Sequence, residues 1–403
     1  MNMKNYLFEE YTNYYIKKGF SDIHELNLNL LKRQYESSFL INKARSNIYR
    51  FSGFKKNFVN EDNFKVLFTI PPSKFRSIYF ELSKKTTLLL TSFSRDVFLK
   101  KNIYFVDLFS IFSRLYRALL LDNDEVIDQS LTELLETLEL WDPSLILVDN
   151  DALPDKRALI YVTNELGIPT VEIQHGVYQS DYLPTGRYVD YVFVWGKFFK
   201  RLYLKSKIKS KSQIKILGYP YDIKNDIKKR NKRINDRPLV YYLGQNFECY
   251  NRDLIRYKIK TLKELDEIFD ELGFNFYYKP HPSDEMEIIT KNLPHLKISS
   301  LDLFETFKEG DIFISFNSTA LVEASIYNKI TFQLINYPIP TENYEEIGAC
   351  YKSCGSVDEI YKYLTEKCNF NEIEDFTVSR DYIEIPEPNP GKRFLELISE
   401  LDL

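Results

Sequence analysis

Short runs of branched and aromatic hydrophobic residues recur along the chain from residue 65 onward and predict β-strands. In the first half these runs lie at 65–70, 87–91, 103–107, 144–148, 168–173 and 188–195. Between several of them, apolar residues recur every three or four positions, as at 124–140, which is typical of amphipathic helices. Hydrophobic strands separated by helices indicate a parallel sheet covered on both faces. The first sixty residues are predicted to be helical and irregular.

The same alternation restarts after a charged stretch that has few apolar positions. Strands are predicted at 239–243, 274–278, 296–298, 311–315 and 330–335, helices at 252–272 and 319–327, and a short amphipathic helix at 391–402. We therefore predict an α/β protein with two Rossmann-like domains that face a cleft. The predicted divisions are an N-terminal domain at 1–222, a linker at 223–237, a C-terminal domain at 238–380 and a tail helix at 381–403.

Composition and charge narrow the classes of protein that remain. The 403 residues are 44% hydrophobic and 28% charged, as in globular chains, and no apolar run approaches the ~18–20 residues that cross a bilayer. The N-terminus lacks the pattern of a secretory signal, and four cysteines are too few for a disulfide framework, so we expect a cytoplasmic protein. The net charge of −4 gives no reason to expect nucleic acid as a partner.

Glycine-rich phosphate loops are absent from the sequence. Neither G-x-G-x-x-G nor G-x-x-x-x-G-K-[ST] occurs among the 13 glycines, so a nucleotide has to be held by other turns. No cofactor is predicted. Cys350 and Cys354 have no His or Cys partner at metal-binding spacing and are expected to be structural.

The segment Lys279-Pro280-His281-Pro282 directly follows the predicted strand 274–278. Its two prolines favour a stiff turn, and a helix is predicted to start at Ser283 or just before it. This would place His281 beside a helix N-terminus, where free N–H groups and the helix dipole attract anions. The alternative is a turn histidine that is satisfied by the backbone.

A second polar turn follows the predicted strand 311–315. Ser318 and Thr319 can cap the next helix and offer hydroxyl and N–H groups to phosphate oxygens, although a plain N-cap is the alternative for Ser318. Glu323 lies one turn further on, where it could accept hydrogen bonds from ribose hydroxyls. The other predicted donor-binding residues are Lys279, His281, Ser315, Gly244 and Gln245.

Polar residues also follow two strands of the first half. Asp149 and Asp151 come after strand 144–148, and either carboxylate could act as a general base or a nucleophile. A second alternative is a metal site, because paired aspartates at D-x-D spacing hold a divalent ion in one class of glycosyltransferase fold. The third alternative is that the two aspartates only cap the turn after the strand. His175 follows strand 168–173 and is a candidate base or a buried structural histidine, with Glu172 and Gln174 predicted beside it in the cleft. No metal is predicted.

Residues 197–215 combine many basic residues with Phe and Tyr. Such a run is typical of a solvated helix face. Contact with anionic lipid headgroups, or with a lipid-linked diphosphate acceptor, is the alternative and would place the chain at the inner face of the membrane.

The K-P-H-P segment, the S-x-x-S-T-x-x-x-E segment and Gln174-His175-Gly176 together resemble motifs of bacterial GT-B glycosyltransferases. The resemblance covers roughly residues 140–335 and is strongest to enzymes of capsule and surface-polysaccharide synthesis, including Kdo transferases and polysialyltransferases with an HP motif and a serine motif. It implies that His281, Ser318 and Thr319 bind the phosphate of CMP. It also implies an acceptor-side N-terminal domain and a C-terminal domain that binds the nucleotide sugar.

These features together favour a glycosyltransferase that moves a CMP-activated acidic sugar, Kdo or sialic-acid-like, onto a bacterial surface glycan or glycolipid. Asp149, Asp151 and His175 are the predicted catalytic residues. A CDP-glycerol or ribitol-phosphate transferase resembles the chain at His-Gly and HP, and a non-catalytic nucleotide-sugar-binding subunit is the alternative outside enzymes. An epimerase of the same fold is also conceivable, although no glutamate–histidine arrangement in the sequence singles it out.

Overall fold

The computed structural model describes residues 3–8, 28, 31–32, 35, 64–91, 100–177, 185–223, 237–245, 253–282, 284–336, 338, 341–366, 376 and 378–401. The chain divides into two compact units. The first comprises Met1–Asp222 together with Glu384–Leu403, and the second comprises Ile223–Ile383. Except for residues 223 and 237, the predicted linker lies outside the described residues. The predicted tail helix, in contrast, forms part of the first unit.

The first unit is built on a parallel sheet that has the strand order β3-β2-β1-β4-β5-β6-β7 in its described part. Its strands are β1 (Lys65–Phe68), β2 (Thr87–Leu90), β3 (Ile103–Phe105), β4 (Leu145–Val148), β5 (Thr170–Ile173), β6 (Tyr191–Val194) and β7 (Ile214–Ile216). The helices are α1 (Arg76–Lys85), α2 (Phe109–Leu120), α3 (Asp124–Trp141), α4 (Pro154–Leu166), α5 (Lys197–Ser206) and, from the end of the chain, α11 (Pro390–Ser399).

Both faces of this sheet are buried. On β1, Leu67 belongs to one hydrophobic cluster while its neighbours Val66 and Phe68 belong to another. On β4, Ile146 and Leu147 divide in the same way. Because successive side chains of a strand point to opposite faces, a continuous hydrophobic run is what a sheet covered on both sides requires.

The second unit has a smaller parallel sheet, with the order β12-β11-β10-β8-β9. Its strands are β8 (Leu239–Leu243), β9 (Asn275–Lys279), β10 (Ile312–Ser315), β11 (Ile330–Leu334) and β12 (Lys352–Cys354). Its helices are α6 (Leu254–Glu271), α7 (Met286–Asn292), α8 (Leu303–Glu309), α9 (Thr319–Ile326) and α10 (Val357–Glu366). The prediction of an α/β fold with two parallel sheets is therefore confirmed.

Some individual elements differ from the sequence prediction. The strand predicted at 296–298 is reduced to a single bridge between Tyr278 and Ile298. Two short edge strands, β7 and β12, were not predicted. Each has three residues, and Lys215 in β7 and Lys352 in β12 interrupt the apolar pattern on which strand prediction depends.

In each sheet there is one point at which the next strand of the chain is added on the opposite side of the first one. In the first unit this point lies between β1 and β4, and in the second it lies between β8 and β10. Open α/β sheets bind ligands in the crevice outside the carboxyl ends of the strands at such a switch point. A ligand-binding site is therefore expected among the residues that follow these strands.

Candidate functional site

Three turns of the second unit meet where its sheet changes direction. They follow β8, β9 and β10, which are neighbours in the sheet, and they carry Gly244-Gln245, the K-P-H-P segment and Ser315 to Thr319. The predicted donor-binding residues thus come from three adjacent strand ends. Each turn is held by specific contacts with the next.

Gln245 connects the turn after β8 with the turn after β10. Its side-chain oxygen accepts hydrogen bonds from the Ser315 hydroxyl (3.2 Å) and from the backbone N–H of Asn317 (3.1 Å), and its amide donates to the Asn317 side chain. The Ser315 hydroxyl also lies 2.8 Å from the backbone oxygen of Leu243. Gln245 and Ser315 therefore fix the backbone across the switch point.

Gly244 allows the turn after β9 to approach the turn after β8. Its N–H donates to the backbone oxygen of Lys279 at 2.8 Å. A Cβ atom at this position would lie 2.7 Å from the Tyr278 hydroxyl, 2.8 Å from an Asp284 carboxylate oxygen and 2.8 Å from the His281 nitrogen. Any larger residue would push the K-P-H-P turn away, which explains the need for glycine.

The Asp284 carboxylate holds the K-P-H-P turn in place. One carboxylate oxygen pairs with Lys258 of α6 at 2.8 Å, and the side chains of this pair are 2% (Lys258) and 0% (Asp284) exposed. The other oxygen accepts from the Tyr278 hydroxyl and, at 2.6 Å, from the backbone N–H of His281. This buried ion pair, with two further hydrogen bonds to Asp284, fixes the backbone at His281, whose side chain is exposed.

The helix after this turn begins later than the sequence predicts. α7 starts at Met286, with Glu285 as a cap that makes no side-chain hydrogen bond, and Ser283 lies outside the described residues. The expectation that His281 lies beside a helix N-terminus is therefore wrong. The reason is Asp284, whose carboxylate is used on the turn and on Lys258 and does not cap a helix at this point.

Helix α9 begins as the sequence predicts, at Thr319. The Ser318 hydroxyl caps it by accepting from the N–H of Ala320 at 3.2 Å. Ser318 and Thr319 are both half-buried, whereas Glu323 is only 8% exposed. Glu323 therefore has little accessible surface with which to bind a ribose.

In the first unit, the chemically interesting residues follow β1, β4 and β5, which are also neighbours at a switch point. The Lys74 ammonium forms an ion pair with Asp149 at 2.8 Å. Burial alone would raise the pKa of Asp149, but the charges of Lys74, Lys156 and His175 outweigh it and hold that pKa well below its usual range. Asp149 is therefore a permanently ionised carboxylate at neutral pH.

His175 is held in one orientation by two contacts. Its Nδ1 atom hydrogen-bonds the backbone oxygen of Asp149, and its own backbone oxygen accepts from the Tyr221 hydroxyl at 2.7 Å. Because a carbonyl can only accept, Nδ1 carries the proton and Nε2 is the unprotonated nitrogen of the neutral ring. Burial lowers the pKa of His175, the Asp149 carboxylate opposes this, and Lys74 adds to the lowering. A neutral ring with a basic Nε2 suits a general base.

Asp151 and its neighbours form a buried network instead of an open site. The Asp151 carboxylate is fully buried and accepts from the backbone N–H groups of Gly186 (2.8 Å) and Tyr188 (2.6 Å). Burial raises the pKa of Asp151, although these amides act in the opposite direction. Glu172, also fully buried, accepts from the Thr185 hydroxyl, which in turn accepts from the N–H of Asp151. These contacts indicate that Asp151 and Glu172 stabilise the loop at 185–188.

Gln174 is buried as well. Its side-chain oxygen accepts from the backbone N–H of Trp195 at 2.9 Å, and its amide donates to the backbone oxygen of Gly176 at 2.8 Å. The expectation that Glu172 and Gln174 line a cleft is therefore not supported by their geometry. Of the predicted residues in the first unit, Asp149 and His175 are the two that the structure brings together near the surface.

Several residues of these sites were not predicted. Each forms a hydrogen bond or an ion pair that fixes a residue of these sites. These residues are Lys74, Tyr221, Lys258, Tyr278, Asp284 and Tyr344. Tyr344 donates to the backbone oxygen of Asn317 at 2.9 Å. A carboxylate two residues after a proline-rich turn is a signal for Asp284 that the sequence does contain, but its partner on α6 cannot be identified from spacing.

Within the described residues, no cluster of three or more His, Cys, Asp or Glu side chains is arranged to hold a metal ion. None of the described helices combines the length and the apolar character needed to cross a bilayer.

Two parallel-sheet α/β units of this kind define the GT-B class of folds, and comparison with solved structures shows the same architecture. MnaA from S. aureus, solved with UDP, is 17% identical, with a TM-score of 0.57 over 83% of this chain and 95% of that chain. The UDP-GlcNAc 2-epimerase of Methanocaldococcus jannaschii, in complex with UDP-GlcNAc and UDP, is 15% identical, with a TM-score of 0.56 over 84% and 99%.

The UDP-GlcNAc 2-epimerase of Neisseria meningitidis, bound to UDP-GlcNAc, is 13% identical, with a TM-score of 0.56 over 84% of this chain and 99% of that chain. At such low identities, these similarities establish the fold. Sequence comparison finds no matching family profile and no matching curated protein.

Proposed function

We propose that this chain is an enzyme that acts on nucleotide sugars and that its second unit binds the nucleotide through its phosphates. The observation that carries this proposal is the meeting of three turns at the switch point of that unit. Backbone N–H groups at the start of α9, the hydroxyls of Ser318 and Thr319 and the imidazole of His281 are the kinds of donors that phosphate oxygens require. The nucleotide-bound state of the structural relatives supports this assignment.

The reaction we favour is glycosyl transfer. The bond between the anomeric carbon and the phosphate oxygen breaks, the acceptor oxygen bonds to that carbon, and the nucleotide leaves with the electron pair. In the second unit, His281 and the start of α9 are suited to stabilise the negative charge on the leaving phosphate, and in the first unit His175 Nε2 is suited to take the proton of the acceptor hydroxyl. Asp149 keeps His175 oriented through its backbone oxygen and favours the imidazolium through its carboxylate.

For the donor we propose a CMP-activated acidic sugar of the Kdo or sialic-acid type, and for the acceptor a surface glycan or glycolipid. The basis is the resemblance at the K-P-H-P and S-x-x-S-T segments. A thermal-shift panel of CMP, CDP, UDP and GDP tests the base, because a ligand that binds the native state raises the unfolding midpoint. A shift with UDP alone would contradict the CMP assignment while preserving the nucleotide site.

Turnover separates the alternatives. Release of CMP from CMP-Kdo in the presence of acceptor supports glycosyl transfer, whereas incorporation of label from CDP-glycerol indicates a polyol-phosphate transferase. Binding of a nucleotide without any product from either donor would identify a binding subunit and would overturn the enzymatic proposal.

A UDP-sugar 2-epimerase is the second candidate, and it is favoured by the structural similarity to UDP-GlcNAc 2-epimerases. Epimerisation at C2 requires removal and return of the C2 proton, so UDP-GlcNAc incubated in D2O would acquire deuterium at C2 and form the manno isomer. Nuclear magnetic resonance of the sugar detects both changes. A glycosyltransferase leaves the C2 proton in place.

His281 gives the sharpest test of the phosphate site. Hydrogen bonds to charged groups contribute ~1.5–3 kcal/mol, so His281→Ala should raise the Kd of the nucleotide by about tenfold or more. His295→Ala is the matched control, because His295 is an exposed histidine of the same unit that lies near Asp266 of α6. Equal nucleotide affinity in the two variants would show that His281 does not bind the phosphate.

A further inference from the structure

One stretch of the first unit carries basic residues without any acidic ones. Residues 191–221 contain no Asp or Glu, whereas the whole chain has a net charge of −4. The same residues contain eight basic side chains, which are Lys197, Lys200, Arg201, Lys205, Lys207, Lys209, Lys211 and Lys215. A cluster of this size in an acidic chain creates a local field that attracts anions.

Helix α5 places part of this charge on one exposed face. Its apolar side chains Phe199 and Tyr203 are fully buried in the unit. Lys197, Arg201 and Lys205 follow one another at intervals of four residues, so they lie along one side of the helix, and all three are exposed. Leu204, beside this row, is an apolar side chain with 38% of its surface exposed. The outward side of α5 is therefore basic, with one apolar position.

A groove adjoins this helix. It has a volume of about 790 Å³ and lies between α5, the edge strand β7 and α11. Among its apolar lining residues, Ile216 is half-buried, whereas Ile214 and Leu397 are buried, and Lys200, Lys211, Lys215 and Arg393 contribute four positive charges. An amphipathic anion, with a charged head and an apolar body, fits a groove of this composition.

Glu400 at the end of α11 lines the groove and Glu396 of the same helix pairs with a basic lining residue, so these carboxylates neutralise only part of the charge. Glu400 pairs with Lys215 at 3.1 Å, and Glu396 pairs with Arg393 at 3.3 Å. Lys200 donates to the backbone oxygen of Ile214 at 3.0 Å. Burial lowers the pKa of Lys200, and the ammonium groups of Lys211 and Lys215 add to this. Like charges are thus crowded together here, which an anionic partner would relieve.

We propose that the basic surface formed by α5, residues 207–213, β7 and this groove docks the first unit on a membrane that contains anionic phospholipids. Three observations favour a lipid surface over nucleic acid. The charge extends over a helix face and a groove, Leu204 and Ile216 provide apolar contact, and two of the three rings of α5, Phe199 and Tyr203, are buried and so cannot stack on bases. The proposal does not rest on the nucleotide chemistry of the second unit.

Vesicle co-sedimentation of the full chain tests this proposal. The variant is the triple substitution Lys197→Gln, Lys205→Gln and Lys211→Gln. The matched control is the triple substitution Lys260→Gln, Lys263→Gln and Lys291→Gln, which changes the net charge equally. All six lysines are exposed, so both variants are expected to keep the unfolding midpoint of the wild type.

The wild type should bind vesicles with about 30 mol% phosphatidylglycerol, should not bind pure phosphatidylcholine, and should be released when salt shortens the screening length from ~10 Å to ~3 Å. Each basic residue near such a surface strengthens binding about fivefold. The triple variant at Lys197, Lys205 and Lys211 should therefore bind the vesicles roughly a hundredfold more weakly, while the control binds normally. Equal loss in both variants, no binding by the wild type, or binding of single-stranded RNA but not vesicles would overturn the proposal. Displacement from the vesicles by inorganic diphosphate at matched ionic strength would indicate a soluble anion as the ligand and would also overturn it.

Discussion

Lys258 of α6 and Asp284 of the turn after β9 form a buried ion pair at 2.8 Å, with side chains that are 2% and 0% exposed. Asp284 also accepts hydrogen bonds from the Tyr278 hydroxyl and from the backbone N–H of His281. The backbone that presents the candidate phosphate ligand is therefore anchored in the interior of the second unit. Loss of the anchor should affect stability and nucleotide binding together.

Removal of one partner of this pair leaves an uncompensated buried charge. We expect Asp284→Ala or Lys258→Met to lower the free energy of unfolding by about 3–5 kcal/mol each. The double variant should recover much of this loss, because neither charge then remains. Denaturation followed by circular dichroism measures the effect. Trp141 and Trp195, the two tryptophans of the chain, both lie in the first unit, so an unchanged fluorescence transition serves as the internal control.

A methyl group at position 244 should disturb the same turn without removing a charge. In Gly244→Ala the added Cβ would meet three atoms at 2.7–2.8 Å, so the K-P-H-P backbone has to shift. Overpacking of this kind lowers stability by ~1–3 kcal/mol, and we expect a clear rise in the Kd of the nucleotide. Gly355→Ala is the control in the same unit, since its Cβ would meet only the flexible end of Glu359, at 3.2 Å. Comparable nucleotide binding by both variants would argue against a precise role for the turn.

Two substitutions of Gln245 should separate the support of the backbone from the charge of the site. Gln245→Glu keeps an oxygen that can accept from Ser315 and from the backbone N–H of Asn317, and a turned Asn317 amide can donate to its other oxygen, so its stability should stay near that of the wild type. Its negative charge should repel phosphate and raise the nucleotide Kd by tenfold or more, with the difference shrinking at high salt. Gln245→Ala should lose ~1–3 kcal/mol of stability because buried polar partners are left unsatisfied. Titration calorimetry measures the Kd of the nucleotide, and denaturation measures the stability. Weaker nucleotide binding by Gln245→Ala than by Gln245→Glu would contradict a phosphate site at this turn.

The pKa of His175 predicts how activity and stability depend on pH. Burial lowers this pKa in the folded protein, so the ring binds a proton more readily in the unfolded chain, where its pKa is ~6.5. The stabilisation is fully present above that value and is lost as the pH falls through the lower folded pKa. A general base must be unprotonated, so the acidic limb of kcat/KM should lie below pH ~6.5. His175→Gln should remove this limb, and a limb that persists would assign the base to another group.

The sequence was sufficient to predict the central strands of both sheets and that the turns after β8, β9 and β10 lie together. β8, β9 and β10 are continuous hydrophobic runs that end in polar turns, so hydrophobic periodicity identifies them and the rules for parallel sheets bring their ends together. The cap of α9 follows from a Ser-Thr pair directly after a strand.

The remaining features depend on contacts between distant parts of the chain. Lys258 and Asp284 are 26 residues apart, and their pairing follows from the way α6 packs on β9. That pairing consumes the carboxylate that would otherwise cap a helix, which is why α7 begins at Met286. Asp151 is similar, because only the fold of residues 185–188 turns its carboxylate inward. Short spacing patterns carry no information about either event.

Helix α11 has a consequence for the order in which the protein can fold. It packs against α1, and Phe394 contacts Phe193 of the first sheet with ring centres 5.4 Å apart. A Cβ on Gly391 would lie 2.2 Å from the backbone oxygen of Ser77, so this contact is close. The first unit is formed by one segment that precedes the second unit and one that follows it. During synthesis it must therefore wait, with a hydrophobic face uncovered, until the whole second unit has been translated, which makes that interval the period of greatest exposure to aggregation.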